Sequence, residues 1–198
     1  MESVRRVSEG LVWRRCSASA SYSRSSCCEL RLVGRAAQIS DWRLSCGGQP
    51  WPLRGRVLGD AHASGIGGFL SRGGVIFGSS AGAIIQGSFV VRGRPDKPLL
   101  MAPGQTTGFG LLSKVAINPH LTSAQRDAEL VNVVDAHPDI LGIGIDDDAA
   151  LLVRQDAFEV IGIGRVAIYD NVRHGGSWYY WLKPGERFDL SKWTKIER

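Results

Sequence analysis

The chain has 198 residues, 43% of them hydrophobic and 22% charged, which suits one globular domain with a sizeable core. No apolar run approaches the roughly 20 residues of a membrane span, and no continuous apolar stretch follows the N-terminal arginines as a secretory signal requires; the expectation is a cytoplasmic protein with no membrane partner. The formal charge is +5, but residues 1–45 hold eight arginines against four acidic residues, so most of the excess lies there; a nucleic-acid groove needs its basic residues on a folded face between aromatics, and nucleic acid is not the expected partner.

In chain order, residues 1–40 read as a poorly ordered Arg/Ser-rich leader, with Leu30 to Val33 as its one short strand-like run. Cys16, Cys27, Cys28 and Cys46 all lie in the first 46 residues, and their spacing fits no zinc pattern. Residues 41–198 read as the folded domain. Trp42 to Leu53 suggests a strand ending in Gly47-Gly48-Gln49-Pro50-Trp51, whose glycines allow close approach of backbone to a ligand. Residues 54–73 suggest a helix with turns, and a strand then runs from Gly74 to Phe77. Ser88 to Arg92 is strand-like, as are Gly108 to Leu112 and Val115 to Ile117. Ser123 is the expected cap of a helix of about 12 residues that uses Leu130, Val131, Val133 and Val134 and ends at His137-Pro138. Ile140 to Ile145 is a buried-strand pattern, followed by strands over Ala149–Val153, Phe158–Gly162 and Val166–Tyr169. Trp178 to Leu190 suggests a strand, a Pro-Gly turn and a closing segment. Helices alternating with buried strands argue for an α/β sheet with an antiparallel C-terminal region.

Chemistry centres on Gly78-Ser79-Ser80-Ala81-Gly82, a G-x-S-x-G turn between an apolar run and a helix-compatible one. Such an elbow lifts one hydroxyl above a sheet edge, with free helix-start amides facing any charge that forms there. The same pentapeptide also occurs as an ordinary Gly/Ser-rich turn, so partners are needed. A serine nucleophile requires a base, and the base requires an orienting acid. Of four histidines, His62, His137 and His174 sit in polar turns or loops, whereas His120 follows a strand-like segment 40 residues after Ser80. Asp147 follows the next buried strand after a further 27 residues, and Asp146 is expected to point to the opposite side of that strand end. In a parallel sheet such ends gather at one edge. No His/Cys/carboxylate spacing suggests a metal, and no dinucleotide or P-loop fingerprint is complete, so neither metal nor organic cofactor is expected.

These segments resemble, in order, those of the cyanophycinase and dipeptidase E family, the S51 serine peptidases. Gly78 to Ala83 is similar to that family's G-T/S-S-A-G-A elbow, and Gly142 to Asp147 to its G-I/L-G-I/L-D-E. Val115 to His120 occupies the place of its strand ending in D-Q-H, and Gly47 to Trp51 resembles its G-G-x-Q-W segment. The resemblance covers about residues 45–190. It implies a flavodoxin-like α/β/α sandwich related to class I glutamine amidotransferases, with a mostly parallel sheet. It also implies a Ser-His-acid triad of Ser80, His120 and Asp147, a peptide substrate with an aspartyl linkage, and no cofactor. Backbone amides of Gly48 and Ala81 are the expected oxyanion donors, and Gln49, Asn118 and Arg126 the expected substrate contacts. The family's acid is glutamate, its Asp-Gln before the histidine is here Asn118-Pro119, its G-G-x-Q glutamine falls on Pro50, and one of its arginine positions is Ala124. An aspartyl dipeptidase, or a catalytically silent relative acting as a binding domain, stays open beside the cyanophycinase-like reading, as does a homodimer. An α/β-hydrolase esterase is disfavoured, because that fold places its acid before the histidine.

Overall fold

A computed structural model describes residues 68, 70–72, 74–92 and 100–197, together with the backbone of residues 30–31 and 41–42. Most of the proposed leader and all of the Gly47 to Trp51 segment lie outside the described residues. The two short strands β1 (Leu30–Arg31) and β2 (Asp41–Trp42) pair antiparallel. Of the proposed 54–73 helix, Gly68, Leu70 and Ser71 are helical and the stretch before them lies outside the described residues.

Helix α1 (Ala81–Ile84) leads into β3 (Gly87–Phe89), and β4 (Leu112–Pro119) is followed by α2 (Glu129–Ala136) and β5 (Leu141–Ile145). The remaining strands are β6 (Ala149–Arg154), β7 (Ala157–Gly162), β8 (Val166–Tyr169), β9 (Tyr180–Leu182), β10 (Arg187–Asp189) and β11 (Thr194–Ile196). They form a five-stranded sheet in the order β3-β4-β5-β8-β9 and a four-stranded sheet in the order β11-β10-β7-β6. In the first sheet β3, β4 and β5 run parallel, and β8 and β9 add antiparallel, giving the expected mixed α/β architecture. The second sheet is antiparallel throughout.

The two-residue period of the strands assigns the faces. Ala116, Ala167 and Tyr169 join Leu130, Val133 and Val134 of α2 in one core cluster. The alternate residues Val115, Ile117, Leu141, Ile143, Val166 and Ile168 join Phe158, Val160 and Phe188 of the second sheet in another. The five-stranded sheet is therefore covered by α2 on one face and by the antiparallel sheet on the other. Gly142 and Gly144 make the α2 side close-fitting: a Cβ on Gly142 would lie 2.9 Å from the Tyr169 Cβ, and one on Gly144 would lie 2.7 Å from Leu121 Cδ2.

Three local expectations are corrected. The Gly74–Phe77 run forms no regular strand: among its residues only Val75 makes a bridge, and Val75 and Phe77 are exposed. Ser123 does not cap α2, which spans eight residues and starts at Glu129 with Ala128 in the cap position; Leu121 to Gln125 instead make turns, with Gln125 at φ 54°. The C-terminal segment continues past Leu190 into β11, an edge strand.

Candidate active site

The site lies where the parallel strands end. Pro119 of β4 is registered with Ile145 of β5, so the residues that follow each strand emerge side by side. His120 follows Pro119 and turns the chain sharply, at φ 59°. Asp146 and Asp147 follow Ile145. One strand spacing, about 4.8 Å, thus separates the two exits, within reach of an imidazole and a carboxylate.

Ser80 is brought to this edge by the elbow. Its backbone sits at φ 51°, ψ −120°, outside the regions open to ordinary residues, as expected of a serine on a sharp strand-to-helix turn. The turn is closed by the Gly82 amide donating to the Ser79 carbonyl at 2.9 Å and by the Ala83 and Ile84 amides donating to the Ser80 carbonyl at 3.0 and 3.1 Å. Gly78 is required by close approach: a Cβ there would collide with the Gly82 carbonyl and with Gln86 Nε2. Ala81, directly after Ser80, precedes the amides that this turn consumes and is buried.

The three side chains form a line. His120 Nε2 is 3.3 Å from Ser80 Oγ, and His120 Nδ1 is 2.6 Å from Asp147 Oδ1. His120 and Asp147 are about half exposed, so the line opens to solvent. The Ser123 hydroxyl, and after it the hydrogen bond to His120, hold the Asp147 carboxyl below its usual range by stabilising the ionised form. A carboxylate on Nδ1 fixes the tautomer that leaves Nε2 as an acceptor for the serine proton, the arrangement a hydroxyl nucleophile needs. The other described histidines are engaged elsewhere: the His137 ring packs on Phe89 with centroids 4.8 Å apart, and His174 Nε2 is 2.9 Å from Asp170 Oδ1. His62 lies outside the described residues.

The remaining sequence candidates fall differently. Gly48 and Gln49 lie outside the described residues. Asn118 is corrected: it is completely buried and donates from Nδ2 to Glu129 Oε2 at 2.8 Å, so it belongs to the wall behind the site and has no surface to offer a substrate. Its enclosure follows from the strand it lies on: the five consecutive residues Val115 to Pro119 are all buried, so this part of β4 is covered on both faces. Arg126 lies partly buried beside Pro119, with Nη1 3.4 Å from the Pro119 carbonyl oxygen. Burial, then the neighbouring Arg92, lower the Arg126 pKa, and Glu129 opposes this. Glu129 also pairs with Arg92.

Asp146 does not point away from Asp147's turn. Its Oδ1 accepts from the Thr122 amide at 3.1 Å and from the Thr122 hydroxyl, so both neighbouring carboxylates face residues 120–123. The pleat stops at Ile145, and strand alternation no longer applies beyond it. Sequence reasoning missed Thr122 and Ser123 as partners of these acids; the only signal was a pair of hydroxyl residues separated from the histidine by Leu121. Among the described residues no group of histidines, cysteines and carboxylates is arranged to hold a metal ion, and no helix is long and apolar enough to cross a membrane.

Residues 53–161 match the profile described as Peptidase family S51. Proteins named cyanophycinase from Trichormus variabilis and from a Nostoc species are each 33% identical to this chain over 151 residues, covering 72% of this chain and 49% of theirs. Another, from Synechococcus elongatus, is 34% identical over 99 residues, 48% of this chain and 31% of its own. The chain thus spans about half the length of the curated relatives it matches first.

Proposed function

This chain belongs to peptidase family S51, and from that premise we propose that it is a serine-type peptidase that hydrolyses aspartyl-linked peptides of the β-Asp-Arg type. The observation that carries the reading is the continuous line from Ser80 Oγ through His120 to Asp147, with contacts of 3.3 and 2.6 Å. In this reading Ser80 attacks the carbonyl carbon, and His120 Nε2 accepts the hydroxyl proton. Asp147 stabilises the imidazolium that forms. The tetrahedral oxyanion is met by the amide of Ala81 and by that of Gly48. His120 then delivers its proton to the leaving amine, and water, activated by the same imidazole, releases the acyl group from Ser80.

The flavodoxin-like α/β/α plan that family membership implies, and the kinship with class I glutamine amidotransferases, belong to the same reading. Arg126 is its remaining described candidate for a substrate carboxylate, since a planar guanidinium matches that group.

A serine-directed phosphonate tests the chemistry and product analysis tests the substrate. Stoichiometric labelling at Ser80, with release of β-Asp-Arg dipeptide from cyanophycin, is the expected result. Release of aspartate from Asp-X dipeptides alone would make the enzyme an aspartyl dipeptidase. No labelling at all would overturn the peptidase reading and leave a binding domain.

A further inference from the structure

On the peptidase reading, the acid of the site is an aspartate and reaches one methylene less far than a glutamate. Its carboxylate nevertheless stands 2.6 Å from His120 Nδ1. Asp147 is about half exposed and lies beyond the end of β5, so neither core packing nor a sheet ladder places it. The residue before it is held far more firmly. The Asp146 side chain is only 12% exposed. Its amide donates to the Arg165 carbonyl at 3.0 Å, and its carbonyl accepts from the Ala149 amide at 3.3 Å. Its Oδ1 takes both donors of Thr122, while its Oδ2 lies 3.8 Å from Arg165 Nε. One residue earlier, the Leu121 amide donates to the Ile145 carbonyl at 3.2 Å and so extends the β4–β5 pairing past its last registered pair.

We propose that Thr122 and Asp146 form a clamp that draws the exit of β5 against the turn after His120, and that they are positioning residues whose purpose is to bring the short acid Asp147 within hydrogen-bond reach of His120. The physical case is one of lever arms. Leu121–Ile145 and Thr122–Asp146 are two consecutive cross-connections between the same two chain segments. Together they leave Asp147 little beyond its own side-chain torsions to choose from. A carboxylate that accepts both an amide and a hydroxyl from one residue fixes that residue's position and orientation, because the two donors define a direction as well as a distance. The Ser123 hydroxyl on Asp147 is carried by the same turn, so loosening Thr122 moves that contact too. The alternative is that Thr122–Asp146 merely closes a turn, in which case its loss lowers stability without changing the His120–Asp147 contact.

The test reads that contact directly. In the full chain, the proton on His120 Nδ1 gives a low-field NMR signal when it is hydrogen-bonded to Asp147, assigned by its disappearance in His120→Gln. The clamp predicts that Thr122→Val and Thr122→Ala shift this signal upfield or lose it, whereas Thr122→Ser, which keeps the hydroxyl, retains it. Thr122→Val combined with Asp147→Glu recovers it, since the longer acid no longer needs the clamp. Thr122→Val and Thr122→Ala both keep the amide donor and remove the hydroxyl, and Asp146→Asn, nearly unchanged in shape but without the carboxylate charge, is expected to shift the signal in the same direction. A His120 signal unchanged in every folded Thr122 variant overturns the clamp, as does a wild-type chain in which no such signal exists. Phosphonate labelling of the same samples keeps the two readings apart. A wild-type chain that labels while the His120 signal ignores Thr122 refutes the clamp alone. A wild-type chain that does not label refutes the peptidase, and the His120 signal still judges the clamp.

Discussion

Ser80 and His120 meet across 3.3 Å, and each holds its backbone at positive φ, 51° for Ser80 and 59° for His120. Residues other than glycine seldom hold positive φ, and such a conformation costs of order 1–3 kcal/mol. Both sit where a chain turns abruptly at the sheet edge. The sharp turns are what aim a hydroxyl and an imidazole at the same point, and the surrounding ladder and tight glycines hold them there.

Replacing Ser80 by alanine removes the nucleophile and leaves the elbow backbone unchanged. Labelling by a serine-directed phosphonate is expected to vanish in Ser80→Ala and to survive in Ser79→Thr, since Ser79 is exposed and lies outside the line to His120. Peptide mapping of the adduct to Ser79 would reverse the assignment.

Gly78→Ala is expected to damage the site without touching it. The added methyl meets the Gly82 carbonyl and Gln86 Nε2, and backbone on one side cannot retreat without opening α1. A loss of stability of about 1–3 kcal/mol is the usual consequence of such overpacking. Thermal unfolding together with the phosphonate labelling rate checks this; a variant with wild-type values of both would show that the elbow has room to spare.

Asp147→Asn leaves a side chain of the same size whose amide can donate to Nδ1 and so stabilise the wrong tautomer. In a Ser-His-Asp triad that exchange costs about 10⁴ in kcat, and a loss of that order is expected here. Asp147→Glu should retain activity, because the carboxylate is half exposed and a longer side chain has space to adjust. Equal activity in Asp147→Asn and wild type would remove Asp147 from the mechanism.

The depressed pKa of Asp147 fixes a sign. The folded pKa lies below the unfolded one, so the ionised carboxylate contributes stability that is fully present above the ordinary aspartate value, about 3.9, and is lost as pH falls through the folded pKa. Ser123→Ala removes the first of its causes and should move the Asp147 titration upward, toward the ordinary value. A carboxyl NMR titration of Asp147 in the two chains reads this, and superimposable curves would contradict it.

Asn118→Asp is expected to destabilise the fold. Asn118 has no exposed surface, and its amide is the donor to Glu129. An aspartate would set two carboxylates against each other in the interior, with a cost of about 3 kcal/mol for a poorly compensated buried charge. That corresponds to a fall in Tm of roughly 10 °C for a domain of this size. Glu129→Gln added to Asn118→Asp should recover most of the loss, since the repulsion disappears; an Asn118→Asp chain as stable as wild type would mean that Arg92 or Arg126 has turned to take the new charge.

The strands that frame this site were readable because their apolar residues are continuous. Val166 to Tyr169 are buried in all four positions, and Leu141 to Gly144 likewise, so both faces demanded cover and the pattern spoke plainly. His120 and Asp147 were readable as residues that follow such runs, and Ser80 as the centre of a G-x-S-x-G turn. What failed to show was decided by contacts across the fold. Ser123 has the look of a helix cap, yet its hydroxyl goes to an acid 24 residues away, and the helix waits until Glu129. Asn118 reads as a polar residue near a catalytic histidine, and only the pairing of β4 with β5 shows it to be enclosed. Thr194 to Ile196 carries exposed polar residues and no apolar alternation, so β11 announces itself only by pairing with β10.

The antiparallel docking of β8 on β5 has a consequence for the order of events when the chain is made. Ser80, His120 and Asp147 lie within one stretch, 40 and 27 positions apart, and the β3-β4-β5 portion can assemble from neighbouring segments. The supports of the acid come later: β8 covers the flank of β5, and Arg165 holds the Asp146 amide. The acid is therefore secured only once β8, which follows it in the chain, has paired with β5. Pulse-labelled hydrogen exchange should find the Asp146 amide protected no earlier than the amides of β8, and earlier protection would refute this sequence. A chain cut between Asp147 and β8 would thus keep all three side chains of the line and lose the partner that fixes the Asp146 amide beside them.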